Sequence, residues 1–158
     1  MNRARRFISL SAANRALLIR AYFLVMALRL ALWLLPFRTL HRFLTCFAVP
    51  TGVAASSGDP SPDRIAWAVS VTSRYVPAAN CLPQALAAYT LMKRRGHTAD
   101  MRIGVTKGKG EQLEAHAWIE SEGRIVIGGS DSPSRFKPLL ITYNKEDYER
   151  DRGHILLG

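Results

Sequence analysis

Acidic residues are missing from the first third of this chain. Of its 158 residues 12 are Asp or Glu, and the first of these is Asp59. Eight arginines precede it (Arg3, Arg5, Arg6, Arg15, Arg20, Arg29, Arg38 and Arg42), while the other 14 basic residues are mixed with all 12 acidic ones. The net charge of +10 therefore belongs to the front end, and the body is close to neutral. Cysteine is scarce as well. Cys46 and Cys81 stand far apart in unlike contexts, which excludes a disulfide scaffold and a four-thiolate zinc site and makes a reducing cytosol the simpler setting. Aromatic residues, 9% of the chain, are not interleaved with the arginines as base stacking requires. A membrane surface, an acidic partner or an acidic peptide thus suits the basic front end at least as well as nucleic acid does. At 48% hydrophobic and 22% charged the composition is that of a folded domain, so disorder and low-complexity architectures are excluded as descriptions of the whole.

Residues 16–37 read ALLIRAYFLVMALRLALWLLPF, with no Gly or Pro before Pro36, and predict a helix. Its length suits a membrane span, but Arg29 falls in the middle, and a central arginine costs about 2.5–3.5 kcal/mol on insertion. The favoured expectation is a helix packed on its own domain or on a partner, ahead of a membrane-surface helix and a true span. The small-residue, Gly- and Pro-containing stretch PTGVAASSGDPSP at 50–62 reads as a linker or loop. It divides a basic apolar helical region (1–50), suited to docking or to lying near a membrane, from a second domain (51–158).

A short helix is expected from Asp63 to about Tyr75. The next, after Asn80 as N-cap and with Pro83 in its first turn, carries Leu82, Ala85, Leu86, Tyr89 and Met92 on one face and stops at Gly96. Then the period changes. Met101, Ile103 and Val105 alternate in one strand, EAHAWIE forms a second, and Ser-Glu-Gly at 121–123 turns the chain into an antiparallel return over 124–127. The tail from Lys137 reads as a last strand or helical turn with a charged run. The fold class is therefore α+β, a cysteine-bearing helix packed on an antiparallel sheet behind an apolar N-terminal helical region.

Two residues suggest chemistry. Cys81 opens a helix, where unpaired amides and the positive end of the macrodipole favour a thiolate, and the same amides suit an oxyanion. His116 lies in a strand, and a base on rigid sheet directed at a thiol on a helix tip makes a thiol acyl-transfer site. Cys46, in an apolar run, reads as a small hydrophobe. His41, His97 and His154 read as surface or loop residues. A metal site built on Cys81 and His116 lacks two clustered ligands, so no metal or cofactor is expected.

The stretch CLPQALAAYTLMKRRGHTADMRIGV followed by EAHAWIESEGRIVIGG resembles the leader-peptidase domain of lasso-peptide biosynthesis, the so-called B proteins, which are similar to transglutaminases and papain-like cysteine proteases. The resemblance runs over about residues 63–140, and the LLPFRTL segment near Pro36 looks like the family's front end. It implies that Cys81 is the nucleophile and His116 the general base of a peptidase that removes the leader from a precursor peptide, before a separate ATP-dependent cyclase closes the ring. It also implies an Asp on the strand after the histidine, holding the imidazole in its useful tautomer. A tight turn at 121–124 sets His116 across from about Gly129, yet 128–130 read Gly-Gly-Ser. Asp131, of the same strand parity, is the candidate through a bulge or slip; otherwise another acceptor orients the ring. Residues 1–50 show no strand alternation and so no winged-helix-like leader-binding module. The expectation is a standalone peptidase working with a separate leader-recognition protein. A non-catalytic peptide-binding scaffold and a thiol-dependent acyltransferase are the alternatives.

Overall fold

The structure, a computed structural model, describes residues 9–34, 59–107, 112–129 and 135–139. Its elements run α1 (Ala12–Leu34), α2 (Pro62–Ser73), α3 (Cys81–Arg94), β1 (Asp100–Lys107), β2 (Leu113–Ser121), β3 (Arg124–Ile127) and β4 (Lys137–Leu139). The expected domain boundary at residue 50 lies outside the described residues.

Each helix has a local reason to start where it does. Ser11 accepts from the Asn14 amide at 3.4 Å ahead of α1, and Ser61 accepts from the Arg64 amide at 3.4 Å ahead of α2, whose first residue is Pro62. The α2 helix stops at Ser73, short of the expected Tyr75. Thr72 and Ser73 turn their hydroxyls back onto the Ala68 and Val69 carbonyls, and Pro77 disfavours helical backbone at Val76. Helix α3 ends as the sequence predicts. Gly96 takes φ 74°, its amide donates to Lys93 O, and the His97 amide donates to Met92 O, the paired bonds of a Schellman motif. Asn80 does occupy the N-cap, but its side chain makes no capping hydrogen bond.

The four strands form one antiparallel sheet in the order β3-β2-β1-β4. Glu122 and Gly123, at φ 51° and 72°, make the two-residue turn between Ser121 and its partner Arg124, the left-handed geometry that suits strand twist. Beyond the turn the β2–β3 register shifts. Glu120 pairs with Ile125 but Ile119 pairs with Ile127, leaving Val126 as the extra residue of a bulge. The plain hairpin that would set His116 opposite Gly129 is thereby corrected: β3 ends at Ile127 and the chain turns at Gly128 with φ 79°.

One continuous core unites helices and sheet. Leu17, Leu18, Ala21, Val25 and Leu28 of α1 are buried with Ile65 and Val69 of α2, Leu86 and Met92 of α3, Met101 of β1 and Ala117 and Ile119 of β2. The long apolar helix is long and apolar enough to cross a membrane by length and composition, yet one side of it belongs to this core. The opposite side leaves Ile19, Phe23, Leu30, Trp33 and Leu34 exposed.

Candidate active site

Cys81 is the first residue of α3, so its side chain projects from the helix end whose leading amides lack intrahelical acceptors. Pro83 in that first turn has no amide to leave unpaired. The thiol is partly buried and reaches across to β2, where its Sγ lies 4.0 Å from the carbonyl oxygen of Ala115, the residue before His116. The site is therefore spanned by one helix tip and one strand.

His116 is held from several sides. Its Nε2 lies 2.7 Å from Gly128 O. A carbonyl can only accept, so Nε2 carries the proton and, in the neutral ring, Nδ1 is the free base. Phe136 stacks on the imidazole at 5.1 Å between centroids with 28° between planes, and Trp118 lies at 6.2 Å and 20°. Trp118 in turn donates from Nε1 to Glu120 at 2.9 Å, and Glu120 pairs with Arg102 at 3.3 Å. These partners limit the ring's rotation without supplying a negative charge to it.

Two glycines make that packing possible. Gly104 is the cross-strand partner of His116, and a Cβ there would stand 2.7 Å from the Phe136 Cβ and 3.0 Å from the Trp118 ring. At Gly128 a Cβ would meet Ala117 O at 2.7 Å, and the positive φ is itself strained for any L side chain. The close approach of this turn to β2 is what delivers its carbonyl to the imidazole.

Cys81, His116 and Asn80 line two cavities in common. One, of about 570 Å³, is walled mostly by apolar side chains, among them Leu32 of α1, Leu82 and Pro83 of α3 and Ile103 of β1. The other, of about 690 Å³, is more polar and includes Ser70, Ser73, Arg74, Gln84 and Gly128. A substrate chain at the thiol would thus have both an apolar and a more polar cavity next to it. Among the described residues no hydrogen bond joins Sγ to the imidazole; the thiol is turned toward Ala115 O. Gln84 donates from Nε2 to Ala79 O at 2.8 Å and braces the loop before the helix.

Of the sequence candidates, the structure brings Cys81 and His116 to the same two cavities. Asp131 lies outside the described residues, as do Cys46, His41 and His154. His97 lies apart from the cavities, its Nε2 3.0 Å from Pro60 O. Three contributors escape sequence reasoning: Gly128, whose carbonyl gives no side-chain signal, Phe136, which falls just ahead of the segment read as tail, and Arg29, a lone charge in an apolar run that lines the apolar cavity.

A thiol at a helix tip and a histidine on the facing strand are the two kinds of group that thiol-dependent acyl transfer uses. The chain belongs to the transglutaminase-like superfamily, whose family model matches residues 24–141. That superfamily includes cysteine peptidases and acyltransferases. The match begins within α1, so the second half of the apolar helix falls inside the family domain. No curated protein and no solved structure matches the chain.

Proposed function

We propose that the protein is a cysteine peptidase that removes the leader from a lasso-peptide precursor, with Cys81 as nucleophile and His116 as general base. The observation that carries this reading is the shared lining of both cavities by the helix-tip thiol and an imidazole whose Nε2 is already bonded, leaving Nδ1 as the free base. The resemblance of CLPQAL and AHAW to the leader peptidases supplies the substrate class.

Sγ turns from Ala115 O to the imidazole and transfers its proton to Nδ1, and the thiolate attacks the carbonyl carbon of the scissile peptide. The developing oxyanion is met by the Cys81 amide, with the Asn80 side chain, free of any capping bond, as a second donor. Collapse breaks the C–N bond, and the imidazolium returns the proton to the leaving amine, the new N-terminus of the core peptide. Water then attacks the thioester, with His116 taking one of its protons, and releases the leader as a carboxylic acid and Cys81 as the thiol. A separate leader-recognition protein would present the precursor, and an ATP-dependent cyclase would use the freed amine. The work is placed in the cytoplasm, with the exposed side of α1 at a membrane or a partner. Asp131 remains the candidate for a charged residue acting on His116 alongside Gly128 O.

One observation favours a second reading. The acceptor on His116 is a neutral carbonyl, which orients the ring but does not stabilise an imidazolium as a carboxylate would. A scaffold that holds the precursor without cutting it has that character. Incubation of the protein with a lasso-type precursor and its leader-binding protein, followed by mass spectrometry, separates the two. Leader release that Cys81→Ala abolishes supports the peptidase; release unchanged by Cys81→Ala, or precursor bound and never cut, overturns it. A labelled amine ending up on the leader carboxyl would reassign the reaction to acyl transfer.

A further inference from the structure

Arg29 sits in the only arginine-bearing turn of the apolar second half of α1, between buried Leu28 and exposed Leu30, and it lines the apolar cavity that Cys81 also lines. Its Nε is buried and has no hydrogen-bond partner among the described residues. No described carboxylate lines this cavity; the other residues that wall it include Leu32, Leu82, Pro83 and Ile103. A buried donor left without an acceptor is costly, and such groups in native proteins call for a partner. We infer that Arg29 is a specificity-determining residue that binds a carboxylate of the substrate next to the bond attacked by Cys81.

The chemistry of the cavity restricts that partner. A planar guanidinium matches the two oxygens of a carboxylate, and apolar walls strengthen the pair by keeping water out. The same walls favour a carboxylate carried on an aliphatic stem. Because one cavity is lined by both Arg29 and Cys81, the acidic group belongs to a residue close to the scissile bond rather than to a distant part of the peptide. The carboxylate has two possible sources, a Glu or Asp side chain within the peptide or a free chain end.

The inference rests on Cys81 being the reactive thiol of the proposed site, and its test keeps the two apart. Iodoacetate and iodoacetamide differ in carrying a carboxylate or its neutral amide, so the ratio of their rates at Cys81, read by peptide mass spectrometry to exclude Cys46, senses a cation in the cavity. Arg29→Gln is expected to lower the iodoacetate-to-iodoacetamide ratio about 10-fold, while Arg29→Lys keeps most of it, the scale of one charge-assisted hydrogen bond. A ratio within about twofold of wild type in folded Arg29→Gln overturns the inference, since a charge bound to nothing has no such readout. Failure of both reagents to label Cys81 counts against the nucleophile reading instead.

Wild-type protein gives a second measurement that needs no substitution. The peptides acetyl-Leu-Glu-Leu-amide, acetyl-Leu-Gln-Leu-amide and acetyl-Leu-Gln-Leu with a free carboxyl terminus are compared as protectants of Cys81 against iodoacetamide. Better protection by the Glu peptide assigns the carboxylate to a side chain, and better protection by the free acid assigns it to a chain end. No advantage for either acid over the neutral peptide overturns the inference.

Discussion

His116 donates from Nε2 to the carbonyl oxygen of Gly128 at 2.7 Å, so a backbone atom, delivered by a turn that only glycine tolerates, sets the tautomer of the candidate base. The ring is oriented with its other nitrogen unprotonated, the form a general base needs.

Replacing either member of the pair tests that arrangement directly. Cys81→Ala and His116→Ala are each expected to reduce leader release by at least about 10³-fold, because residues acting as one unit fail together. Both variants keep their circular dichroism and a melting temperature close to wild type, since Cys81 only packs against the edge of the buried core and His116 is not among its residues. Activity surviving in either one rules out the assigned role.

Gly128→Ala addresses the acceptor. The added Cβ is strained by φ 79° and stands 2.7 Å from Ala117 O, so the turn must move away from β2. A loss of about 1–3 kcal/mol in stability is expected. A fall in turnover accompanies it at temperatures where the variant is still folded. Denaturant titration with a parallel rate assay checks both, and an unchanged rate would show that the imidazole does not depend on this carbonyl.

Val25→Asp asks whether α1 is part of the domain. Val25 is fully buried, in one cluster with residues of α2, α3 and the sheet. An unpaired buried carboxylate is expected to cost several kcal/mol and to lower the melting temperature of the whole protein. A helix that served only as a detachable anchor would leave the melting of the rest unaltered.

The phenol of Tyr89 is held above its ordinary pKa of about 10, first by burial and then by the charge of Asp100. The fold prefers its neutral form, so this contribution is complete below pH 10 and is lost as the pH rises through the higher folded value. Chemical denaturation between pH 9 and 11 should therefore show wild type losing stability that Tyr89→Phe retains. Parallel curves for the two proteins would contradict it.

The sequence makes helix α3 legible from end to end, because Asn80, the apolar stripe and Gly96 are local signals that packing had no reason to override. The turn at Glu122 and Gly123 is local as well. What the sequence conceals is tertiary. Nothing in the residue types of β3 announces the unpaired Val126, since a bulge depends on how two strands settle against a common core. Gly128 reads as a gap in the acid position because a backbone acceptor leaves no mark on the alphabet. Arg29 is visible as a charge in an apolar run and suggests only an obstacle to membrane insertion until α1 is laid over the cavity beside Cys81. The proposed role of Asn80 follows the same pattern, its position evident and its missing capping bond evident only in three dimensions.

The single additional residue at Val126 governs more than strand pairing. Every position of β3 beyond it is displaced by one step along β2, and the glycine turn that follows inherits that displacement. Shortening the chain by this one valine would bring the hairpin into even step and carry the Gly128 oxygen off its present bearing, so the orientation of the candidate base is governed here by an arithmetic of backbone length, with no atom of the imidazole altered.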